Sequence, residues 1–496
     1  MLVVASILVV VVSIVTFYFK WSWLYWKRRN VPHSPVDFPF GNAKELITQN
    51  VSFGEAFARV YEEYKAKGQR YCGYYFLTKP VLVATDVELI KNVMTKDFQF
   101  FTDHFSYVNE KVDPLSGHLF SLKGQRWRNL RAKLTPTFTS GKMKMMFPTL
   151  VDCSRELVNI MENCADNRNV LDVKDVVGRF TTDIIGSCAF GIDCNSLFNP
   201  ESEFRKYGVR VFEDTVIDAL KNFTSFSFPE ILHLFNVAIT KRDVGEFFMN
   251  VVRQTVNYRE ANGVIRKDFM QLLLQLKDSN DASALTMEEL AAQAFVFFLA
   301  GFETSSTTLT FCFYELATNL DIQRKLRKEI REVLQRHDSQ ITYDSLTEMV
   351  YMDQCIYETL RKYPPVPILN RECTKAYKLP NSELVLEKGT PLFIPILGIQ
   401  RDPVYYPDPS KFDPERFSPE QKEGRHPFAW LPFGEGPRVC IGMRFGLMQT
   451  KVALAVMLTD YLFTLNQRTD VPLKMDSKSI ITSAKGGVWL NVARVQ

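Results

Sequence analysis

Residues 432–442 read Pro-Phe-Gly-Glu-Gly-Pro-Arg-Val-Cys-Ile-Gly, and this stretch decides how the rest of the chain is interpreted. It places Cys440 in a glycine-rich turn beside an aromatic and a basic residue. A lone cysteine is most often a buried, inert side chain. In a random chain of this length, however, the Phe, the Cys and two Gly at this spacing would occur only about once in a thousand. The pattern therefore indicates a site.

These residue types suit a thiolate ligand of haem iron. Such a sulfur needs a tight loop that brings backbone N–H groups towards it, because they disperse its charge. The glycines permit that loop and the close approach of a flat porphyrin. The aromatic ring can supply an apolar cover, and the arginine is placed to meet the porphyrin carboxylates. Cys440 is the predicted metal ligand, and the residues of the loop predicted to contact haem are Phe433, Gly436, Arg438, Cys440 and Gly442.

Composition excludes several other classes of protein. The chain has 496 residues, 46% of them apolar, and a net charge of only +4 without a long basic run, so no nucleic-acid partner is expected. Six dispersed His without an HExxH pair argue against a zinc hydrolase. Nine scattered Cys without a CxxC pair favour a reducing environment over a disulfide framework. The 39 Phe exceed what a core requires, and some are expected to line an apolar cavity.

The amino terminus has the features of a membrane anchor. Residues 2–19 form an apolar run that as a helix would span roughly 27 Å, enough for a bilayer core. An aromatic cluster and then Lys27, Arg28 and Arg29 follow, so the positive-inside rule places the rest of the chain in the cytosol. A cleaved signal peptide is the alternative, but the run is long and bulky aromatics stand where small residues are expected at a cleavage site.

Three segments follow from this interpretation. Residues 1–19 are the predicted transmembrane anchor, residues 20–41 an interfacial and Pro-rich linker, and residues 42–496 a single catalytic domain. Proline fixes φ and removes a donor, so neither a helix nor a strand should run through residues 31–41.

The catalytic part is predicted to be mainly α with small β-sheets. Residues 71–76 and 81–84 favour a short β pair, residues 378–385 with 392–396 a second β cluster, and residues 479–492 a third. The longest predicted helix has about 30 residues. It begins at Thr286, which forms a capping-box pattern with Glu289 and precedes a stretch that is apolar on nearly every face.

Further motifs make the chain resemble the cytochrome P450 family. Residues 358–361 read Glu-Thr-Leu-Arg and match its Glu-x-x-Arg, and residues 414–417 match its Pro-Glu-Arg-Phe. Residues 300–304, Ala-Gly-Phe-Glu-Thr, match its oxygen-activation segment, and residues 127–131 match its Trp-x-x-x-Arg. The motifs come in family order and cover the whole chain after the anchor. Other stretches, such as Pro-Thr-Phe-Thr-Ser-Gly-Lys at 136–142, resemble the insect family-6 branch of microsomal enzymes of xenobiotic metabolism.

The resemblance assigns a support role to three charged residues. Glu358 and Arg361 lie at i and i+3 on one helix face, and Arg416 would let one carboxylate bridge two guanidinium groups. By resemblance this network fixes a loop behind the haem and is structural. Gln400 stands where relatives usually have His, and only a small effect is expected.

A second group would hold the haem propionates. Trp127 and Arg131 lie at i and i+4, so both can donate from one face of a helix. Family position adds Arg371 and Arg438. His104 stands where relatives often carry Arg and would give a weaker, pH-dependent contact.

The predicted catalytic residues lie inside the long helix. Ala300 and Gly301 are small enough to open a groove over the iron for dioxygen, and a helical Gly costs about 1 kcal/mol, so a use is expected. The Thr304 hydroxyl can donate to bound oxygen, and Glu303 can relay protons through water. In isolation, a Gly packed against a neighbouring helix and a Thr bonded to its i−4 carbonyl would be the ordinary interpretation.

Family position also nominates contacts for a lipophilic substrate held mostly by shape. Besides Ala300, these are Phe120, Phe297, Leu299, Val366, Ile368 and Thr482.

The resemblance implies a cytochrome P450 fold behind one transmembrane helix, haem b with a cysteine thiolate, O2, and NADPH as electron source. The expected partners are NADPH-cytochrome P450 reductase, docking near Arg126, Arg128 and Lys133, and cytochrome b5. The expected location is the endoplasmic reticulum membrane, and the expected role is xenobiotic or insecticide detoxification. An endogenous hormone or lipid hydroxylase stays open, as do a haem-thiolate isomerase that does not activate oxygen and a haem-based sensor.

Overall fold

The computed structural model describes residues 2–213, 215–277 and 284–495, and within these residues the chain is mainly helical with three small sheets. The α-helices are α1 (Leu2–Ser22), α2 (Leu24–Lys27), α3 (Lys44–Ile47), α4 (Phe53–Ala66), α5 (Val87–Lys91), α6 (Gly124–Leu134), α7 (Ser140–Asn167), α8 (Val173–Ile185), α9 (Glu203–Arg210), α10 (Val216–Ser227), α11 (Pro229–Leu234), α12 (Arg242–Asn262), α13 (Phe269–Lys277), α14 (Met287–Thr318), α15 (Leu320–Arg336), α16 (Tyr343–Glu348), α17 (Val350–Lys362), α18 (Ile396–Gln400), α19 (Pro419–Lys422) and α20 (Met443–Asp460). The strands are β1 (Tyr71–Phe76), β2 (Lys79–Ala84), β3 (Leu171–Asp172), β4 (Leu369–Glu372), β5 (Tyr377–Lys378), β6 (Val385–Leu386), β7 (Pro391–Ile394), β8 (Tyr461–Leu465) and β9 (Trp489–Arg494).

The sheets confirm the mainly helical fold class and correct two strand predictions. β1 and β2 form the predicted β pair, with antiparallel strands, and the sheet continues from β2 through parallel β7 to β4. The second predicted cluster divides, because β5 and β6 form their own hairpin while β7 joins the first sheet. In the third, only β9 is a strand, paired with β8 and β3, and residues 479–488 form bends, a turn and one isolated bridge from Ala484 to Met475. Val488 is buried but Ile480 is 61% exposed, so the apolar residues of this segment do not share one buried face.

α14 is the central helix, as the sequence predicts. Thr286 and Glu289 form the capping box, each backbone N–H donating to the other side chain at 3.1 Å. The helix is apolar enough to cross a membrane, but 67% of its most apolar window is buried inside the protein. It packs against α8 on one side and α20 on the other, so it is a core helix.

α1 has the opposite environment. None of its residues is buried, and Leu2–Lys27 is a candidate membrane span with a mean hydropathy of 2.8. The helix extends to Ser22, past the predicted boundary at residue 19. Two contacts hold the carboxyl end of α1 in place. The indole Nε1 of Trp23, which follows α1, donates to Leu77 O of the catalytic part at 2.7 Å, and the Phe19 ring contacts the Phe38 ring of the linker at 5.4 Å between centroids.

Candidate active site

A cavity of about 300 Å³ lies between α14, α6, α17 and the loop that precedes α20. Its lining combines apolar side chains with one thiol and a few cations at one end. The predicted site residues on its walls are His104, Phe120, Trp127, Arg131, Phe297, Ala300, Gly301, Thr304, Val366, Arg371, Phe433, Arg438, Cys440 and Gly442.

Cys440 is placed differently from every other cysteine. All nine cysteines lie in described residues, and Cys440 alone has an exposed side chain, which opens onto the cavity. The loop is closed by its backbone N–H, which donates to Phe433 O at 2.8 Å. Burial raises the pKa of the Cys440 thiol, while the Gly442 backbone N–H and the charge of Arg131 lower it. The protein therefore supplies the backbone donor and the cation that a thiolate requires.

Two glycines give the loop its shape. Gly434 and Gly436 have φ of +68° and +72°, a region that side chains rarely tolerate. A Cβ on Gly436 would lie only 2.0 Å from Met94 O, so no larger residue fits there. Gly436 does not line the cavity and instead lets the turn press against the backbone of Met94.

Three cationic or ionisable groups gather at one end of the cavity. Arg371 is 1% exposed and its buried Nε has no hydrogen-bond partner. Burial lowers the pKa of Arg371 to about 10, and burial together with Arg371 lowers the pKa of Arg438 to about 9. Burial and both guanidinium groups hold the pKa of His104 well below 6.5. Asp103 Oδ1 approaches Arg438 Nη2 only to 3.7 Å, so this corner favours an added anion.

Trp127 and Arg438 support each other. The guanidinium carbon lies 3.8 Å from the centre of the Trp127 ring, a cation–π contact. Arg438 Nε donates to Thr102 O, and its Nη2 donates to Leu122 O, both at 2.9 Å. Arg131 follows one turn after Trp127 and lines the same cavity. The Trp-x-x-x-Arg face of α6 is therefore turned towards the thiol and the cationic corner.

α14 presents small residues to the cavity. The Thr304 hydroxyl lies on the wall and donates to Ala300 O at 2.5 Å, its i−4 carbonyl. A Cβ on Gly301 would lie 2.5 Å from Ile185 Cδ1, so this glycine also allows α8 to approach. Gly301 therefore serves helix packing and the cavity together.

Glu303 lies on another side of α14. Its carboxylate accepts from Lys174 Nζ of α8 at 2.7 Å, and Glu303 is not among the residues that line the cavity. Burial lowers the pKa of Lys174, and Glu303 opposes that shift. Nothing in the local sequence could reveal this pair, because its members are 129 positions apart.

The three residues predicted to support the loop come together. Arg361 donates to Glu358 through Nε at 2.7 Å and through Nη2 at 2.8 Å, and neither side chain is exposed. Arg416 Nε lies 3.5 Å from the same carboxylate. Gln400 joins this region to the cysteine loop, because its Oε1 accepts from the Leu431 backbone N–H at 2.8 Å.

The predicted substrate contacts divide into two groups. Phe120, Phe297 and Val366 line the cavity. Ile368 packs in a separate apolar cluster around β1 and β2. Thr482 is bonded to Pro364 O at 2.6 Å beside a different small pocket, and Leu299 packs against the core.

Several aromatic wall residues were not predicted. Phe269 of α13 contacts Phe138 at 4.7 Å, Phe297 at 5.5 Å and Phe445 at 5.3 Å, between ring centroids. All four line the cavity. The high phenylalanine content of the sequence indicated that some of these residues line a cavity, but composition does not identify which positions do so.

This donor set fits haem. Among the described residues, no three His, Cys, Asp or Glu side chains are grouped to hold a bare metal ion. A single thiol that faces an apolar cavity, with two buried guanidinium groups beside it and an Arg371 Nε that has no hydrogen-bond partner, matches an iron porphyrin with two carboxylates. The fold and the site together define a haem-thiolate enzyme.

Comparison with known proteins gives the family. The cytochrome P450 family model matches residues 32–490, and the chain belongs to the cytochrome P450 family. It is 46% identical to "Probable cytochrome P450 6a13" of Drosophila melanogaster, with 95% of each chain covered. It is 43% identical to "Cytochrome P450 6a2" of the same organism over 100% of each chain, and 43% identical to "Cytochrome P450 6A1" of Musca domestica over 98% and 97%. The enzyme is therefore a P450 monooxygenase.

Proposed function

We propose that this monooxygenase is anchored in the endoplasmic reticulum membrane and oxidises lipophilic foreign compounds. Electrons reach it from NADPH through NADPH-cytochrome P450 reductase, with cytochrome b5 as a second donor. The observation that carries the proposal is the Cys440 thiol, which faces an apolar cavity within a chain that begins with an exposed apolar helix. The similarity to insect cytochrome P450 proteins supports the assignment of the branch, and the role in xenobiotic metabolism is inferred from the resemblance to that branch.

The cavity supports a lipophilic substrate. Phe120, Phe297 and Val366 form apolar walls with Ala300 and Thr304, and the guanidinium group of Arg438 and the ring of His104 contact this wall at Phe120 O and the Phe120 ring. Apolar walls with few polar groups bind by shape and burial, which tolerates varied compounds. Clearance of diverse foreign molecules requires such tolerance.

Each site residue has a proposed task. The haem, when bound, supplies oxygen activation. Cys440 holds it from one wall, while Arg371, Arg438 and His104 orient its carboxylates. The Thr304 hydroxyl holds a proton on the cavity wall, where oxygen would bind. Glu303, one residue earlier, faces away from the cavity and connects α14 towards solvent through its ion pair with Lys174. Glu358, with Arg361 and Arg416, keeps the cysteine loop fixed.

The surface near the anchor supports membrane attachment. The β1–β2 turn accepts the Trp23 hydrogen bond, and Phe76 beside this turn contacts Phe226 of α10 at 4.7 Å. α10 and the region of α11 also expose apolar side chains. Their exposed fractions are 67% for Ile217, 64% for Leu220, 76% for Leu234 and 71% for Phe235. Exposed apolar side chains in a chain that also carries an exposed apolar helix suit contact with the bilayer.

The proposed reductase surface lies on α6. Arg128 is exposed, and Lys133 is partly buried. Arg126 donates to both oxygens of Glu110, at 2.6 and 2.9 Å, so part of its charge is neutralised. Reversal of all three charges tests the docking. Unchanged NADPH-dependent turnover with reductase would contradict this surface.

The function is tested with purified protein in lipid vesicles. The reduced protein under carbon monoxide should show the red-shifted Soret band of thiolate ligation, and Cys440→Ala should abolish it. Cys373→Ala, at a buried cysteine outside the cavity, is the matched control and should leave the band intact.

With reductase, NADPH and a panel of lipophilic compounds, oxygenated products should form only when O2 is present. Substrate-dependent NADPH consumption without O2 would contradict a monooxygenase. Products from a single endogenous steroid alone would contradict a detoxifying role.

A further inference from the structure

One buried amide on α14 is bonded to the loop above the cavity. Gln293 has no exposed surface. Its Oε1 accepts from the Leu119 backbone N–H at 2.9 Å, and its Nε2 donates to Gly117 O at 3.3 Å and to Glu289 O at 3.0 Å. The amide nitrogen and the carbonyl oxygen of Gln293 are therefore both hydrogen-bonded. Two of the three bonds are made with backbone groups that lie 174 and 176 positions away in the chain.

The same loop is fixed from two other sides. Arg438 Nη1 donates to Leu119 O at 3.2 Å and to Phe120 O at 3.3 Å. His104 Nδ1 donates to Phe120 O at 2.9 Å, and its ring lies against the Phe120 ring with centroids 4.2 Å apart. Phe120, which is 49% exposed, projects from this loop into the cavity. Three side chains from three segments thus determine where its ring lies.

The placement of Gln293 on α14 makes the link direct. It precedes Val296, Phe297 and Ala300 by three, four and seven positions, the spacing of one helix face. Those three residues line the cavity, whereas Gln293 itself does not. Gln293 therefore joins the wall formed by α14 to the wall formed by Leu119 and Phe120, and its own side chain does not line the cavity.

A buried amide is costly unless each of its polar atoms is bonded, because on burial these atoms lose the hydrogen bonds that they make to water. An apolar residue at this position would pack in α14 without that requirement, but it would leave the Leu119 N–H and Gly117 O unpaired. The hydrogen bonds to this loop therefore explain why a polar residue occupies a fully buried position on α14.

We propose that Gln293 is a positioning residue that sets the shape of the substrate cavity by fixing the loop of residues 117–120, and with it the Phe120 ring. This deepens the proposed function, on which it rests, because a cavity that binds by shape selects substrates through the position of its walls. Gln293 does not touch substrate; it acts through Phe120.

The first test measures the loop itself. Gln293→Met keeps the length of the side chain and removes its hydrogen bonds. Amide hydrogen exchange should become at least about tenfold faster in the peptide that contains Leu119 and Phe120. Gln323→Met is the matched control, because Gln323 is equally buried and bonds to Leu316 O and to the backbone of Phe463, away from the cavity. It should leave exchange in residues 117–120 unchanged.

The second test measures cavity shape with azoles, which bind the iron whatever the natural substrate is. Imidazole and 4-phenylimidazole differ only by the group that probes the walls. Gln293→Met and Phe120→Ala should each change the Kd of 4-phenylimidazole by about fivefold or more and that of imidazole by less than about twofold. Because Gln293 acts through Phe120, the double variant should match Phe120→Ala alone.

Conservative rescue completes the design. Gln293→Glu keeps an acceptor for the Leu119 N–H and should bring the 4-phenylimidazole Kd part of the way back from its Gln293→Met value to the wild-type value. An unchanged 4-phenylimidazole Kd in Gln293→Met, or additive effects in the double variant, overturns the proposal. A wild-type protein that shows no thiolate Soret band under carbon monoxide instead contradicts the proposed function, so the two failures are distinguishable.

Discussion

Lys174 Nζ lies 2.7 Å from Glu303 Oε1 and also donates to the hydroxyls of Ser306 at 3.0 Å and Thr307 at 2.9 Å. The carboxylate before Thr304 is therefore held by α8, while the Thr304 hydroxyl lies on the cavity wall. Adjacent helical residues point about 100° apart, which explains why the acid and the alcohol face different surroundings.

Because the two side chains face different surroundings, substitutions can distinguish the role of Glu303 from that of Thr304. Glu303→Gln keeps an oxygen that can accept from Lys174 but cannot release a proton. If the carboxyl group delivers protons, product formation should fall by about 10²-fold or more, with a larger solvent isotope effect. Thr304→Val should instead lower the product formed per NADPH consumed.

Lys174→Met is the structural control, because it removes the ion pair and leaves the carboxyl group. It should lower the unfolding midpoint more than Glu303→Gln does. Normal product formation in Glu303→Gln would show that the carboxylate serves only the contact between α8 and α14.

Removal of one partner from the Glu358–Arg361 pair should be strongly destabilising. Both side chains are fully buried, so Glu358→Ala leaves an unpaired guanidinium and should lower the free energy of unfolding by about 3–5 kcal/mol. Glu63→Ala removes an exposed partner of Lys67 and should cost about 0–1 kcal/mol. Urea unfolding followed by circular dichroism measures both, and equal losses would contradict the argument.

The sequence could predict the parts of the site that lie in contiguous motifs. The turn around Cys440 and the capping box at Thr286 are local, so spacing reveals them. Glu358 and Arg361 share a helix face for the same reason. The contacts of Lys174 with Glu303 and of Gln293 with Leu119 join distant segments, and composition or periodicity cannot reveal a tertiary contact of that kind.

The wall residues show the same limit. Phe120 and Val366 line the cavity, but Ile368, two positions after Val366, packs against the cluster around β1 and β2. Residues two positions apart share one side of a regular strand, but the chain bends at Val366 and Pro367 separates it from Ile368 before β4 begins, so strand periodicity does not decide which of them faces a ligand.

His118 should make the protein sensitive to acid. Its Nδ1 accepts from the Ser121 backbone N–H at 3.4 Å, and burial lowers the pKa of His118 from 6.5 to about 4. Between these pH values the unfolded chain binds a proton that the folded protein does not, so stability falls as pH falls. His118→Asn keeps an acceptor without a titrating ring.

Urea unfolding at pH 7 and pH 5 measures this effect. The wild type should lose about 1–2 kcal/mol more than His118→Asn on going to the lower pH. Identical losses would show that the imidazole is protonated in the folded state.

Alanine substitutions at Gly436 and Gly389 distinguish the effect of a steric clash from the effect of backbone strain. Gly436→Ala would place a Cβ 2.0 Å from Met94 O at a φ of +72°, so the cysteine turn must move. Gly389 has a φ of +87°, but a Cβ there would meet nothing within 4 Å. Gly389→Ala should therefore cost only about 1–2 kcal/mol of strain and keep the haem.

Gly436→Ala should instead lose most of its haem and the red-shifted Soret band under carbon monoxide, because the thiol is displaced with the turn. Haem content per protein and the carbon monoxide difference spectrum measure both variants. If Gly436→Ala bound haem as Gly389→Ala does, contact with the Met94 backbone would not be what fixes the thiol, and the position of Cys440 would have to depend on the Cys440 N–H bond to Phe433 O instead.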